Sequence, residues 1–463
     1  MENSRIAVLL LSFITVHAVY EHDQYLNALL AKGDVDYNTT SSGLVSASGA
    51  ANAAPPQVFH VTAYGADPTG KVDSTNAIIA AISDALKLPG NGFLMNGIVN
   101  LGGARIDLDG GSYLISRPIQ FPVSGRGNLL IHGGSLKASN SFPNGGYLID
   151  LSPASSSSLE YYYEFVTLRD LLLDSNYRGG GIQVVKSVRI NIDNCYITHF
   201  STVGISVKGG HETSIRHSYL GQHITAGGDP GERNFTGTGI ELLGNDNSIN
   251  DVVIFSAALG IMITGQANII SEVHCYNKAT GFGGTGIYLK LPGLTQTRIV
   301  NSYFDFTGIV AEDPVQLTIS NSFFLGDAYI VLKSIKGVAN GVNIVDNMFS
   351  GSGKGIDTVQ LDQKMGPFKQ INQIVIDGNN VNGMNLKSTI ARTSVQGNGS
   401  SWVADFNSAL VFPNLIKRVD YTFITGAATF PVHVLRNVSG NKVVIQSQAP
   451  VPASVFITAD QGA

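Results

Sequence analysis

The sequence predicts an all-β chain: a single-stranded right-handed parallel β-helix with an N-terminal capping helix and a small C-terminal β module. Three observations carry this expectation. First, Gly-Ile followed by any residue and usually an aliphatic one recurs six times, as Gly181-Ile182-Gln183-Val184, Gly204-Ile205-Ser206-Val207, Gly239-Ile240-Glu241-Leu242, Gly260-Ile261-Met262-Ile263, Gly286-Ile287-Tyr288-Leu289 and Gly308-Ile309-Val310-Ala311. The steps between them are 23, 35, 21, 26 and 22 residues, the near-constant period of stacked repeats. Second, Ile192, Ile215, Ile249, Ile270, Ile299, Ile319 and Ile344 each open a short alternating segment, which puts one strand face inward. Third, these repeats show neither a Leu-rich consensus nor a helical period, while Gly and Asn are abundant at the corners. Two short strands per repeat are therefore expected.

The N-terminus reads as a targeting segment. Arg5 precedes an apolar run from Ile6 to Val16, and Val16-His17-Ala18 offers small-residue cleavage. This predicts a signal peptide over 1–18, because the run is too short to span a bilayer. Residues 19–55, rich in Ser, Ala, Gly and Asn, are expected to be a leader with little structure. Sequons at Asn38, Asn234, Asn398 and Asn437 fit glycosylation of a secreted chain. A net charge of -5 and only 14% charged residues argue against nucleic acid, and no membrane span is read. A monomer without cofactor or metal is expected.

Order is expected from Val58 onward. Asp73 and Ser74 precede Asn76-Ala77-Ile78-Ile79-Ala80-Ala81-Ile82, so a helix with an Asp or Ser N-cap covers the first rung. The β-helix is placed at 56–390 and the C-terminal β cap at 395–463. The largest insertion, Thr225–Thr236, is expected to wall a groove. The two cysteines, Cys195 and Cys275, lie three repeats apart. That is about 14 Å at ~4.8 Å per repeat, too far for a disulfide, so two buried free thiols are expected.

The segment Phe59 to Ile82, with Tyr64-Gly65-Ala66-Asp67, resembles the N-terminal signature of the pectate lyase-like β-helix superfamily. Gly283 to Thr295, with Thr307-Gly308-Ile309-Val310-Ala311-Glu312-Asp313-Pro314, is similar to plant quartet-type polygalacturonases of glycoside hydrolase family 28. The resemblance implies a secreted cell-wall hydrolase of α-1,4-galacturonosyl bonds, with homogalacturonan as partner. The family's catalytic motifs depart here. Ser201-Thr202-Val203 stands where Asn-Thr-Asp is usual, Gly237-Thr238 at the aspartate pair, and Ala258-Leu259 at the histidine. Lys290, in Tyr288-Leu289-Lys290, matches the lysine of Arg-Ile-Lys.

Glycoside hydrolysis needs two carboxyl groups flanking the bond. If the ladder isoleucines point inward, the next residues form an outward row: Gln183, Ser206, Glu241, Met262, Tyr288 and Val310. Glu241 is the acid in that row and the first catalytic candidate. Asp246, Asp229 and Asp305 are candidates for the second carboxylate, although each also suits a turn. Lys290 and Lys208, two positions further along their strands, would hold uronate carboxylates, with Tyr288 and His211 as further substrate contacts. His274 is expected to be structural.

Gly281-Phe282-Gly283-Gly284-Thr285-Gly286 satisfies a dinucleotide fingerprint, but a strand pattern follows where a helix is required. Tyr161-Tyr162-Tyr163 and Trp402 could stack on sugars, though packing is the simpler role. Two competing readings are a polysaccharide lyase using Lys208 or Lys290 with Ca²⁺, and a non-catalytic wall-binding β-helix.

Overall fold

The computed structural model describes residues 55–222, 235–276, 284–426, 428 and 430–462. The expected signal peptide, nearly all of the leader, the sequons at Asn38 and Asn234, and the candidate Asp229 lie outside the described residues.

From Val58 the chain winds as a right-handed parallel β-helix. One face is a ten-stranded parallel sheet running from Ile119–Phe121 to Val359–Asp362. Its register stacks Ile149, Ile182, Ile205, Ile240, Ile261, Ile287, Ile309, Ile330 and Val359 one above the other. All nine are buried. Each contributes about 1.5–3 kcal/mol by leaving water, so the ladder is the main cohesive element of this face.

The glycine of the repeated phrase has a packing cause. A Cβ at Gly204, Gly239 or Gly260 would lie 2.6, 2.7 or 2.4 Å from the carbonyl oxygen of the glycine in the next rung. Stacked rungs approach too closely there for any side chain.

The other strands of the β-helix form an 18-stranded sheet, also mostly parallel. Here the expectation of two strands per repeat needs correction. Each long strand bends in the middle, and from Arg298 onward it splits into two, as in Arg298–Val300 and Tyr303–Asp305. Each turn therefore has three faces. The bend falls on a left-handed residue in every rung: Asp170, Asn194, His217, Asp251, Glu272, Asn301, Asn321 and Asp346 all have φ between 49° and 56°. Asn and Asp tolerate that conformation best, which is why they dominate the row.

Inside the corners, side-chain ladders satisfy backbone amides. The Asn247 side chain accepts from Thr213 N, that of Asn268 from Asn247 N, and that of Asn347 from Ser322 N, at 3.0, 2.9 and 3.1 Å. Buried amides need such partners.

The helix α1, Thr75–Leu86, closes the first rung with Ile78, Ala81, Ile82, Ala85 and Leu86 buried. Its N-cap residue is Ser74, but the Ser74 side chain does not cap it. Asp73 does, accepting from Thr75 N at 3.1 Å and Thr75 Oγ1 at 2.5 Å. Ser74 Oγ instead accepts from Asp67 N at 2.9 Å. Asp67 also binds Thr69, Lys71 and Val72, and the Thr69 hydrogen bonds above all lower its pKa to about 2.

Ile390–Asp405, Arg418–Thr425, His433–Ser439 and Lys442–Asp460 form a four-stranded antiparallel sheet with its own core. Trp402 is buried in it, edge-on to Phe423 at 5.0 Å, and so serves packing. Asn398 and Asn437 are exposed on this module. Cys195 and Cys275 are free and buried; burial pushes both thiols up, that of Cys195 to about 12. Among the described residues, no helix is long and apolar enough to cross a membrane.

Candidate active site

Because the isoleucine ladder points inward, the next residue of each strand stands on the outer face of the ten-stranded sheet. The register extends this outer row beyond the repeated phrase: Gln120, Asp150, Gln183, Ser206, Glu241, Met262, Tyr288, Val310, Val331 and Gln360. It therefore carries two acids among the described residues, Asp150 and Glu241. Asp150 was not legible as a row member, because its strand reads Tyr147-Leu148-Ile149-Asp150 without the Gly-Ile phrase.

Around these two acids the side chains converge. Ser206 Oγ donates to Glu241 Oε2 at 3.1 Å, drawing Glu241 toward the preceding rung. Ser206 is fully buried beneath its neighbours. Tyr147 also lies close by: its ring covers Gly180, where a Cβ would come within 2.4 Å of it. Burial pushes the Tyr147 hydroxyl up, and the charges of Glu241 and Asp150 add to this. Lys208 Nζ lies 6.0 Å from the Tyr147 ring centre.

Asp150 is half-buried. Ser152 Oγ donates to its Oδ1 at 2.8 Å, and Gln120 Nε2 donates to Ser152 Oγ at 3.0 Å. Burial raises the carboxyl above its ordinary value, and neither Ser152 nor the nearby Lys208 ammonium cancels that. A carboxyl that resists ionisation is suited to donate a proton.

Two to four rungs beyond Glu241, a second group is closed on itself. Glu312, only 6% exposed, accepts from Tyr288 Oη at 2.5 Å and from Lys333 Nζ at 2.9 Å. Lys333 also donates to Tyr288 Oη at 3.0 Å, and its ammonium lies 5.5 Å from the ring centre. Hydrogen bonds to Tyr288 and Glu312 raise the Lys333 pKa. Tyr288, expected to meet substrate, is thus engaged by Glu312 and Lys333.

The other expected residues are placed as follows. Lys290 is exposed beyond the end of its strand, and no ion pair joins it to Glu241 among the described residues. Lys208 lies near enough to Asp150 to act on its charge, whereas His211 sits in the corner column between Val188 and Asn245, its Nε2 3.2 Å from Tyr161 Oη. Tyr162 underlies Lys186 at 5.8 Å, while Tyr163 is buried edge-on to Phe121. Thus the third tyrosine of the run is a core residue, and Tyr162 packs, partly buried, against the same core.

Two of the candidate second carboxylates leave the groove face. Asp246 sits exposed in a corner with φ 55°, its backbone bonded to Glu212 and Gln266. Asp305 belongs to the 18-stranded sheet and pairs with His274 at 2.9 Å. Phe306, at φ 54°, turns the chain between Asp305 and the groove strand Gly308–Glu312. The expectation that three residues separate Asp305 from the groove overlooked that corner.

One described His/Asp/Glu cluster could hold a metal ion. His60, Asp107 and Asp109 bring ligand atoms within 4.8 Å of one another. They lie at the first rungs of the 18-stranded sheet, and Asp109 already accepts from Thr62 N and Oγ1. The glycine fingerprint leads into a strand, Thr285–Leu289, as a β-helix requires and a nucleotide site does not.

The comparisons fit this geometry. The family described as Rhamnogalacturonase A/epimerase, pectate lyase-like, matches residues 58–290. Polygalacturonase QRT3 of Arabidopsis thaliana is 64% identical over 409 residues, 88% of this chain and 85% of its own length. Two solved structures share the fold. Endo-xylogalacturonan hydrolase from Aspergillus tubingensis has a TM-score of 0.52 at 12% identity, covering 71% of this chain and 95% of its own. ORF18 of Geobacillus virus E2 has a TM-score of 0.53 at 14% identity, covering 85% and 78%. The chain belongs to the pectate lyase-like β-helix family, within its plant quartet-type polygalacturonase branch, and is a glycoside hydrolase.

Proposed function

We propose that this enzyme is a secreted polygalacturonase that hydrolyses α-1,4-galacturonosyl bonds of homogalacturonan in the cell wall, with Glu241 as the carboxylate that activates water. The observation that carries the reading is an outer groove row with acids at Asp150 and Glu241, on a chain 64% identical to a polygalacturonase. An exposed ammonium at Lys290 and a half-buried one at Lys208 suit a polyanionic sugar. The N-terminal apolar run and the exposed Asn398 and Asn437 support secretion and glycosylation.

The test is polygalacturonate with two readouts. New reducing ends without the ultraviolet absorbance of an unsaturated uronate are expected. That absorbance would instead make the protein a lyase, and retained binding without either signal would make it a wall-binding protein. Glu241→Gln is expected to lower kcat by about 10²–10⁴-fold, the usual worth of a general acid or base. Unchanged turnover in that variant would remove Glu241 from the chemistry.

A further inference from the structure

We propose that Asp150 is the proton donor of this enzyme, acting opposite Glu241 with the reacting sugar lying over Gln183. The assignment rests on the hydrolase reading above and names its second carboxylate.

The register sets the distances. Asp150, Gln183, Ser206 and Glu241 follow one another, one per rung, so three rungs separate the acids. At ~4.8 Å per rung their backbones stand about 14 Å apart. Glu241 leans toward Asp150, held there by Ser206. This lean shortens the gap from the Glu241 side, and an Asp150 side chain turned along the same row when substrate binds would bring the pair into the ~6.5–9.5 Å window that admits a sugar and a water. Asp246 and Asp305 do not face this gap, as their placements show.

The environment assigns the roles. Asp150 is withdrawn from water beside Tyr147, while Ser152 fixes its Oδ1. Glu241 holds a neutral hydroxyl donor and is half-exposed, as a base that must meet water should be. In the reaction the Asp150 proton moves to the glycosidic oxygen as the C1–O bond breaks, and that oxygen keeps the bonding electrons. Water attacks C1 from the opposite face and passes its proton to Glu241. The products are a new non-reducing end and a reducing sugar of inverted configuration. Asp150 is left as a carboxylate and Glu241 as an acid, and exchange with solvent restores both. Lys208, close enough to Asp150 to act on its charge, is placed to hold a uronate carboxylate beside it.

The experiment compares Asp150→Asn with wild type on two substrates. On polygalacturonate a loss of about 10²–10⁴-fold in kcat is expected. On an oligogalacturonide carrying a dinitrophenyl leaving group, which departs without protonation, activity is expected to stay within about tenfold of wild type. The alkaline limb of the kcat/KM profile, present in wild type because Asp150 must keep its proton, is expected to vanish in the variant. Equal losses on both substrates, or no loss on either, would overturn the assignment. So would retention of configuration in the first-formed product, read by NMR. A wild-type enzyme idle on both substrates would instead sink the pectin reading itself, and this assignment with it.

Discussion

The groove face carries two acid-containing groups built on the same ladder, and they are opposite in character. Around Asp150 and Glu241 the partners are mostly neutral: Ser152, Ser206, Gln120 and Tyr147. Around Glu312 one partner is charged: a buried carboxylate meets an ammonium at 2.9 Å and a phenol at 2.5 Å, both on Oε1. A carboxylate so paired, and only 6% exposed, is held out of reach of substrate. It is placed to stiffen the C-terminal end of the sheet. A carboxylate with only hydroxyl partners keeps its reactivity, at a cost in folding free energy. The lesson is that an acid in a groove is judged by its partners more than by its position.

That contrast can be broken by substitution. The largest expected effect is the difference between two isosteric changes. Glu241→Gln should lower turnover by about 10²–10⁴-fold, while Glu312→Gln should leave kcat within about tenfold of wild type. If Glu312→Gln were the more damaging, the two groups would have to exchange roles. Next comes stability. Lys333→Met leaves the Glu312 carboxylate buried with only a phenol, and should cost about 2 kcal/mol in a denaturant melt. A neutral result there would show that water replaces the ammonium.

The pH response sharpens the same comparison. Asp150 has a folded pKa raised above its unfolded value by burial. Its contribution to stability is therefore fully present below the unfolded pKa and is lost as pH rises through the folded value. Wild type should lose a small amount of stability across that interval, and Asp150→Asn should lose less. Equal slopes in urea melts would indicate that Asp150 is better solvated than its surroundings suggest. The smallest effect is expected for Ser206→Ala, which removes one hydrogen bond to Glu241 worth about 1 kcal/mol. It should cost several-fold in kcat/KM and leave the Lys333 group untouched.

Much of this was legible in the residues. The ladder isoleucines located the groove face, the outer row and Glu241, because a strand alternates strictly and a solenoid repeats its register. Asp150 was missed for a local reason. Its rung begins with Tyr147 and Leu148, so the Gly-Ile phrase starts one coil too late, although Ile149 keeps the ladder 33 residues before Ile182. Asp305 was misplaced because a single left-handed residue, Phe306, sends it to another face. Aromatic residues in that conformation are rare, so no pattern announced it. The pairing of Lys333 with Glu312 joins positions 21 residues apart, and it depends on which way two long side chains turn.

By itself, the sequence determined the architecture. Periodic isoleucines and close-approach glycines leave no packing other than stacked coils, since each repeat can bury its apolar face only against the next. Tertiary structure decided which acids are partnered and which are not. Stacking brings Asp150, Ser206 and Glu241 together from positions as far as 91 residues apart, and it closes Glu312 away from the groove. Register fixes who is adjacent, but rotamers and burial fix who is ionised. Those depend on neighbours that a linear pattern does not contain.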